Sequence, residues 1–156
     1  MVLALTACSE ESDAEKIQSL EDSGALPKLD RSDSIAGPDT NADGIRDDVE
    51  AFIVASYPGD TQRAAARQLA KVVQATLLVD KTDNTAVKAF AVRSSRAVHC
   101  IYSQFSGTEG STPPSQVVRE LSAVSANTKP RLLAYLAYAK ALDGTAGALP
   151  EGDTCE

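Results

Sequence analysis

At 156 residues the chain is long enough for one domain with a real core and too short for two comfortable ones. Only 4% of it is aromatic and it has no tryptophan, so alanine, valine and leucine must supply most of the burial, which favours packed helices over a β-sandwich. The net charge of −7 is uneven: residues 1–60 hold 14 acidic and 4 basic side chains and residues 61–156 hold 8 and 11, a balance that argues against nucleic-acid phosphates as partners.

The chain begins with an apolar run, Val2-Leu3-Ala4, that leads into Leu5-Thr6-Ala7-Cys8. Small residues before a cysteine whose thiol can accept a lipid resemble the lipobox of bacterial lipoproteins. The resemblance implies a leader cleaved before Cys8, a membrane anchor on Cys8, and a place in the cell envelope facing the periplasm. Ser9 at the next position suits the outer membrane better than the inner. Only seven residues precede Cys8, fewer than a working leader needs, so the leader is expected to start upstream.

Residues 9–38 read as a flexible acidic tether. Ser9 to Ser23 is polar, and Gly24, Pro27, Gly37 and Pro38 interrupt any longer regular element. Asp13–Leu20 suits a short helix with little apolar surface to dock it.

The next twelve residues, Asp39-Thr40-Asn41-Ala42-Asp43-Gly44-Ile45-Arg46-Asp47-Asp48-Val49-Glu50, form the one specific motif. Calcium takes six to eight oxygens, and an EF-hand loop supplies them from positions one, three, five, seven, nine and twelve. Here those positions hold Asp39, Asn41, Asp43, the Ile45 carbonyl, Asp47 and Glu50, with Gly44 at six for the sharp turn. Two features depart from the pattern: Arg46 stands at position eight where a hydrophobe is usual, and Gly37-Pro38 precedes the loop instead of a helix. The segment therefore resembles the calcium loops of dockerins and thrombospondin type 3 repeats, in which only the exiting helix is present. The resemblance covers Asp39 to Tyr57 and implies one bound Ca²⁺ ion that pins the start of the first core helix. The bland alternative is a turn at Asp43-Gly44 followed by acidic residues that favour a helix N-terminus.

From Asp47 onward the apolar spacing is helical. Val49, Phe52, Ile53 and Tyr57 define one helix that ends at Pro58-Gly59. Asp60 can cap the next, with a stripe of Leu69, Val72, Val73, Thr76 and Leu77. The clearest helix runs from about Asn84 to Phe105, its stripe formed by Val87, Phe90, Ala91, Ser94, Val98, Ile101, Tyr102 and Phe105. Pro113 or Pro114 suits the first turn of a helix carrying Val117, Val118, Leu121 and Val124. Asn127 or Thr128 caps a last helix expected to bury Leu132, Leu133, Leu136, Ala139 and Leu142 before Gly144. The spacing predicts an all-α fold: a compact bundle of about five helices over residues 39–156, preceded by the tether.

With Cys8 lipidated, Cys100 and Cys155 remain as an even pair, expected to be oxidised in an exported chain; the alternative is two free thiols. Cys100 lies roughly 140° from the centre of its helix's stripe. It is therefore expected to face away from the main core, with the tail Ala146–Glu156 running back along that outer side. Arg93 and Arg96 would then meet Glu151, Asp153 and Glu156. Catalysis finds no motif: His99 is a helix neighbour of Cys100 and points about 100° away from it, too far for a dyad. The sequence thus points to an envelope-tethered structural or protein-interaction domain that is not an enzyme and whose partner is an unknown envelope protein. The whole pattern resembles uncharacterised exported proteobacterial lipoproteins with a single loop of this kind. The alternative is a dockerin-like or inhibitor/immunity-type recognition module, whose sign would be an exposed apolar patch.

Overall fold

The computed structural model describes residues 12–107, 110–145, 147 and 150–156. Cys8, and with it the lipobox, lies outside the described residues, as do Ala146, Ala148 and Leu149 of the tail. Among the described residues there are six helices and no strand, and no helix is long and apolar enough to cross a membrane. The all-helical reading is correct, and one of the six helices lies before residue 39. The added element, α1 (Asp13–Asp22), lies within the stretch read as tether. It is held by local chemistry: Ser12 and Glu15 form a capping box, each satisfying the other's backbone N–H.

The five helices of the body are α2 (Asp47–Ser56), α3 (Asp60–Leu78), α4 (Asn84–Phe105), α5 (Pro114–Ser125) and α6 (Lys129–Ala141). Helix α3 is the hub, packing against all four others. Its Ala65, Ala66 and Ala70 are buried, and side chains this small let the neighbouring helices come close. Leu69, Val73 and Leu77 supply its apolar bulk. Asp60 does not cap this helix; Gly59 takes that place, without a side-chain bond, and Asp60 is the first helical residue. Tyr57, at the end of α2, is buried edge-on between Phe52 and Phe105, with ring centroids 6.2 and 5.2 Å away.

The stretch before the loop is not uniform. Leu20 and Leu26 are exposed, whereas Leu29 packs against the core. Gln74 of α3 donates to the carbonyls of Ile35 and Ala36 at 3.3 and 3.0 Å, so residues 29–37 lie against the body. No apolar periodicity announces this, because main-chain carbonyls make the attachment.

The Cys100–Cys155 disulfide is present, with Cα atoms 5.0 Å apart. Cys100 nevertheless sits in the core, against the expectation that it faces away. The buried arc of α4 is wider than its leucine-like stripe, since α3 covers one side and the tail the next. Thr154 is buried between them: Gln68 of α3 donates to its carbonyl at 2.9 Å, and its hydroxyl lies 3.0 Å from His99 Nδ1. Among the described residues, no ion pair joins Arg93 or Arg96 to Glu151, Asp153 or Glu156; neutral hydrogen bonds seat the tail instead.

Helix α6 is rotated relative to the expectation. Leu132, Leu133 and Leu136 are exposed, at about half of their free area, and Ala139 is exposed as well. The buried residues are Arg131 and Tyr138. Two apolar arcs compete on this helix, and polar groups decide between them. Arg131 is anchored on Asp30 at 2.6 Å, and the Tyr138 hydroxyl donates to the Val87 carbonyl at 3.3 Å. Thr128, without a side-chain bond, holds the cap position, and Asn127 is engaged elsewhere.

Candidate metal centre

The loop from Asp39 to Glu50 joins the packed segment to α2 and closes on itself through backbone-to-carboxylate bonds. Asp39 accepts from the N–H groups of Asp43 (3.2 Å) and Gly44 (2.9 Å), tying the first loop position to the fifth and sixth. Asn41 Oδ1 accepts from the Asp43 N–H at 3.1 Å, and Asp43 Oδ1 from the Ile45 N–H at 2.9 Å. Two left-handed residues make this wrap: Gly44 at φ +89° and Ala42 at φ +57°. Glycine reaches that region freely, whereas alanine pays roughly 1–2 kcal/mol there, so the surrounding bonds must hold Ala42 in place.

Three of the expected oxygen bearers meet at one point. The Asn41 amide nitrogen donates to Asp43 Oδ2 and to Glu50 Oε2, both at 3.1 Å. Asp47 instead turns back on Thr40, accepting from its N–H at 2.9 Å and its hydroxyl at 2.6 Å. Those bonds hold the Asp47 carboxyl below its usual range. Asp47 also donates its own N–H to the Pro38 carbonyl at 3.0 Å, which shuts the mouth of the loop. Ile45 is buried in the core, fixing the seventh position against the body. Among the described residues, no group of three or more His, Cys, Asp and Glu side chains is arranged to hold a metal ion. The one cluster here is an amide nitrogen with two carboxylates, and Asp39 and Asp47 are occupied with main-chain N–H groups beside it.

Helix α3 brings two cations to this loop. Arg67 Nε lies 3.4 Å from Glu50 Oε1, and the Lys71 stem lies over Gly44. Both temper the acidity that the twelve residues carry by themselves. The side chains of Asp39, Asn41, Asp43, Asp47 and Glu50 all carry oxygen, the atom type that a hard cation takes.

Arg46 is the residue that sequence reasoning passed over. Its side chain is fully buried, and it leaves the loop to reach the end of α5: Nη1 donates to the Ser125 carbonyl at 3.0 Å and Nη2 to the Val124 carbonyl at 3.1 Å. Carbonyls in the last turn of a helix lack intrahelical partners, so a guanidinium there satisfies orphan acceptors at the negative end of the helix dipole. The departure at position eight was the available signal: a charge where a hydrophobe belongs must find buried partners.

His99 and Cys100 are not a reactive pair, since Cys100 is in the disulfide and His99 faces Thr154. Compared with protein-family models, with curated proteins and with solved structures, the chain matches none.

Proposed function

We propose that the chain is a lipid-tethered domain of the bacterial envelope, anchored through Cys8, facing the periplasm, and stabilised by one calcium ion. The ion is held by Asp39, Asn41, Asp43, the Ile45 carbonyl, Asp47 and Glu50. Its role is structural or one of protein interaction, and it does no catalysis. The observation that carries the cation reading is the meeting of Asp43 and Glu50, seven residues apart, on the Asn41 amide within a loop wrapped through left-handed Ala42 and Gly44. Two carboxylates facing one point repel each other unless something positive lies between them. In the free loop a weak amide donor fills that place, and a divalent cation fills it better once Asn41 turns its oxygen inward.

Extracellular calcium modules bind at roughly 10⁻⁴–10⁻³ M, and tenfold saturation adds about 1.4 kcal/mol of stability. For a domain of this size that is a rise in melting temperature of about 4 °C. Thermal melts in calcium and in chelator, with a calorimetric calcium titration, test the reading. Coincident melts and no heat on titration would end it.

One observation favours a second reading, a protein-recognition module. The outward leucines of α6, Leu132, Leu133 and Leu136, form the exposed apolar face that such a module needs. An affinity pull-down from envelope extracts with the chain and with a Leu133→Ser/Leu136→Ser variant separates the two: a stoichiometric partner lost only in the variant supports recognition through α6.

A further inference from the structure

Arg46 and Arg131 are both fully buried, and a charge in that setting is tolerated only when every hydrogen-bonding group around it has a partner. Their partners form a closed ring. Arg46 pairs with Asp48 through Nε at 2.9 Å and Nη2 at 2.7 Å. Asp48 Oδ2 also accepts from the Asp30 N–H at 2.7 Å. Asp30 accepts from Arg131 twice, at its carboxylate and at its carbonyl, both at 2.6 Å. Arg131 Nη1 donates to Asn127 Oδ1 at 2.9 Å, and the same oxygen accepts from Arg46 Nη2 at 3.3 Å. The Asn127 amide then donates to the Asp30 carbonyl at 2.9 Å.

Three separate pieces of chain are thereby tied to one another: the loop at Arg46 and Asp48, the packed segment at Asp30, and the α5–α6 corner at Asn127 and Arg131. Gly37 fits against both guanidiniums at φ +66°. A Cβ added there would lie 2.5 Å from Arg46 Cδ and 2.9 Å from Arg131 Nη2. The backbone that leads into the loop is thus pressed on the ring.

From this arrangement we infer that the ring is a relay, through which a cation in the loop firms the α5–α6 corner and sets the position of α6. The inference rests on the calcium reading above. Its physical basis is placement: Asp47, one of the proposed ligands, sits between the two ring members Arg46 and Asp48. Any shift of Asp47 toward an ion moves both neighbours. Because each guanidinium is buried, losing one partner leaves charge uncompensated, so the ring responds as a unit. The helix at its far end is the one with the outward leucines, so the cation acts on the surface that a partner would meet.

Hydrogen exchange followed by mass spectrometry, on the full chain in calcium and in chelator, tests this. At tenfold saturation, calcium slows exchange about tenfold in peptides covering 30–37 and 124–131, and less in a reference peptide covering 84–92. In Asn127→Ala, which leaves each arginine its own carboxylate, the loop peptide 39–50 still slows. The remote slowing at 124–131 falls to the level of the reference. Arg46→Met, which opens the ring at its other side, gives the same loss. Remote slowing that survives both substitutions, or that never exceeds the reference in the parent chain, overturns the relay while leaving the calcium reading intact. Absence of slowing at 39–50 itself overturns both.

Discussion

The segment that leads into α2 and the carboxy-terminal tail are fastened to the helical body by different chemistries. On the amino-terminal side, residues 29–50 join the apolar contacts of Leu29, Ile45 and Val49 to a charged network of two buried guanidiniums, two carboxylates and a set of main-chain carbonyls. On the carboxy-terminal side, Thr154 and Cys155 are attached by a covalent bond and neutral hydrogen bonds. The first fastening answers to protons, through its carboxylates, and the second to reductants. Among the described residues of the tail only Thr154 is buried, so the covalent bond adds to a small contact. The leading segment does without one because it is threaded between α3 and the α5–α6 corner, where polar partners are dense.

Breaking the second fastening has the largest expected effect. The Cys100–Cys155 bond closes a loop of 55 residues, and the chain-entropy treatment gives about 4 kcal/mol for it. A Cys100→Ala/Cys155→Ala variant should therefore lose about that much in urea unfolding and about 10 °C in melting temperature. A loss under about 1 kcal/mol would mean that the hydrogen bonds of Thr154 hold the tail by themselves.

Acid probes the first fastening and comes next in size. Burial pushes the Asp30 carboxyl upward, but the Arg131 hydrogen bond, those from Ser32 and the Arg131 charge outweigh it and bring it down to about 2 from an ordinary 3.8. Because the folded value is the lower one, the carboxylate form favours the fold. The contribution is complete above the unfolded value and disappears as the pH falls from about 4 to about 2, worth about 2 kcal/mol. Stability against pH should show this loss in the parent chain. An Arg131→Met variant, whose Asp30 lacks that partner, should show it reduced or absent. Equal acid profiles would place the dependence on other carboxylates.

The smallest effect sharpens the comparison by lying outside both fastenings. Leu133 is 55% exposed, so Leu133→Ser should change stability by no more than about 0.5 kcal/mol. A buried leucine would lose several times that. A large loss on denaturant unfolding would mean that α6 is turned as its sequence first suggests.

Much of the body was legible in the sequence because local rules suffice for it. Helices α2, α4 and α5 follow strong apolar spacing with clear breakers, and Pro114 opens α5 at its first turn as expected. The disulfide partners followed from counting. The candidate site was legible only as a spacing of oxygen bearers; tertiary structure brings Asn41, Asp43 and Glu50 together and turns Asp39 and Asp47 toward main-chain N–H groups. The polar ring was missed for a reason of distance. Arg46, Asp48, Asp30, Asn127 and Arg131 lie up to 101 residues apart, and no local pattern marks a buried charge whose partners are so distant. The rotation of α6 follows from the same ring, since its two apolar arcs are nearly balanced and Arg131 tips the choice.

The residue order alone determined that the chain is helical, where most helices start and stop, and where the loop from Asp39 to Glu50 turns. These are short-range matters of periodicity, breakers and loop chemistry. Tertiary structure decided which face of α6 turns inward, that Cys100 lies in the core, and that residues 29–37 belong to the body. The face of α6 and the seating of residues 29–37 depend on distant polar partners, whose loss in a buried setting costs more than the local pattern offsets, and Cys100 is buried because α3 and the disulfide-bonded tail cover it.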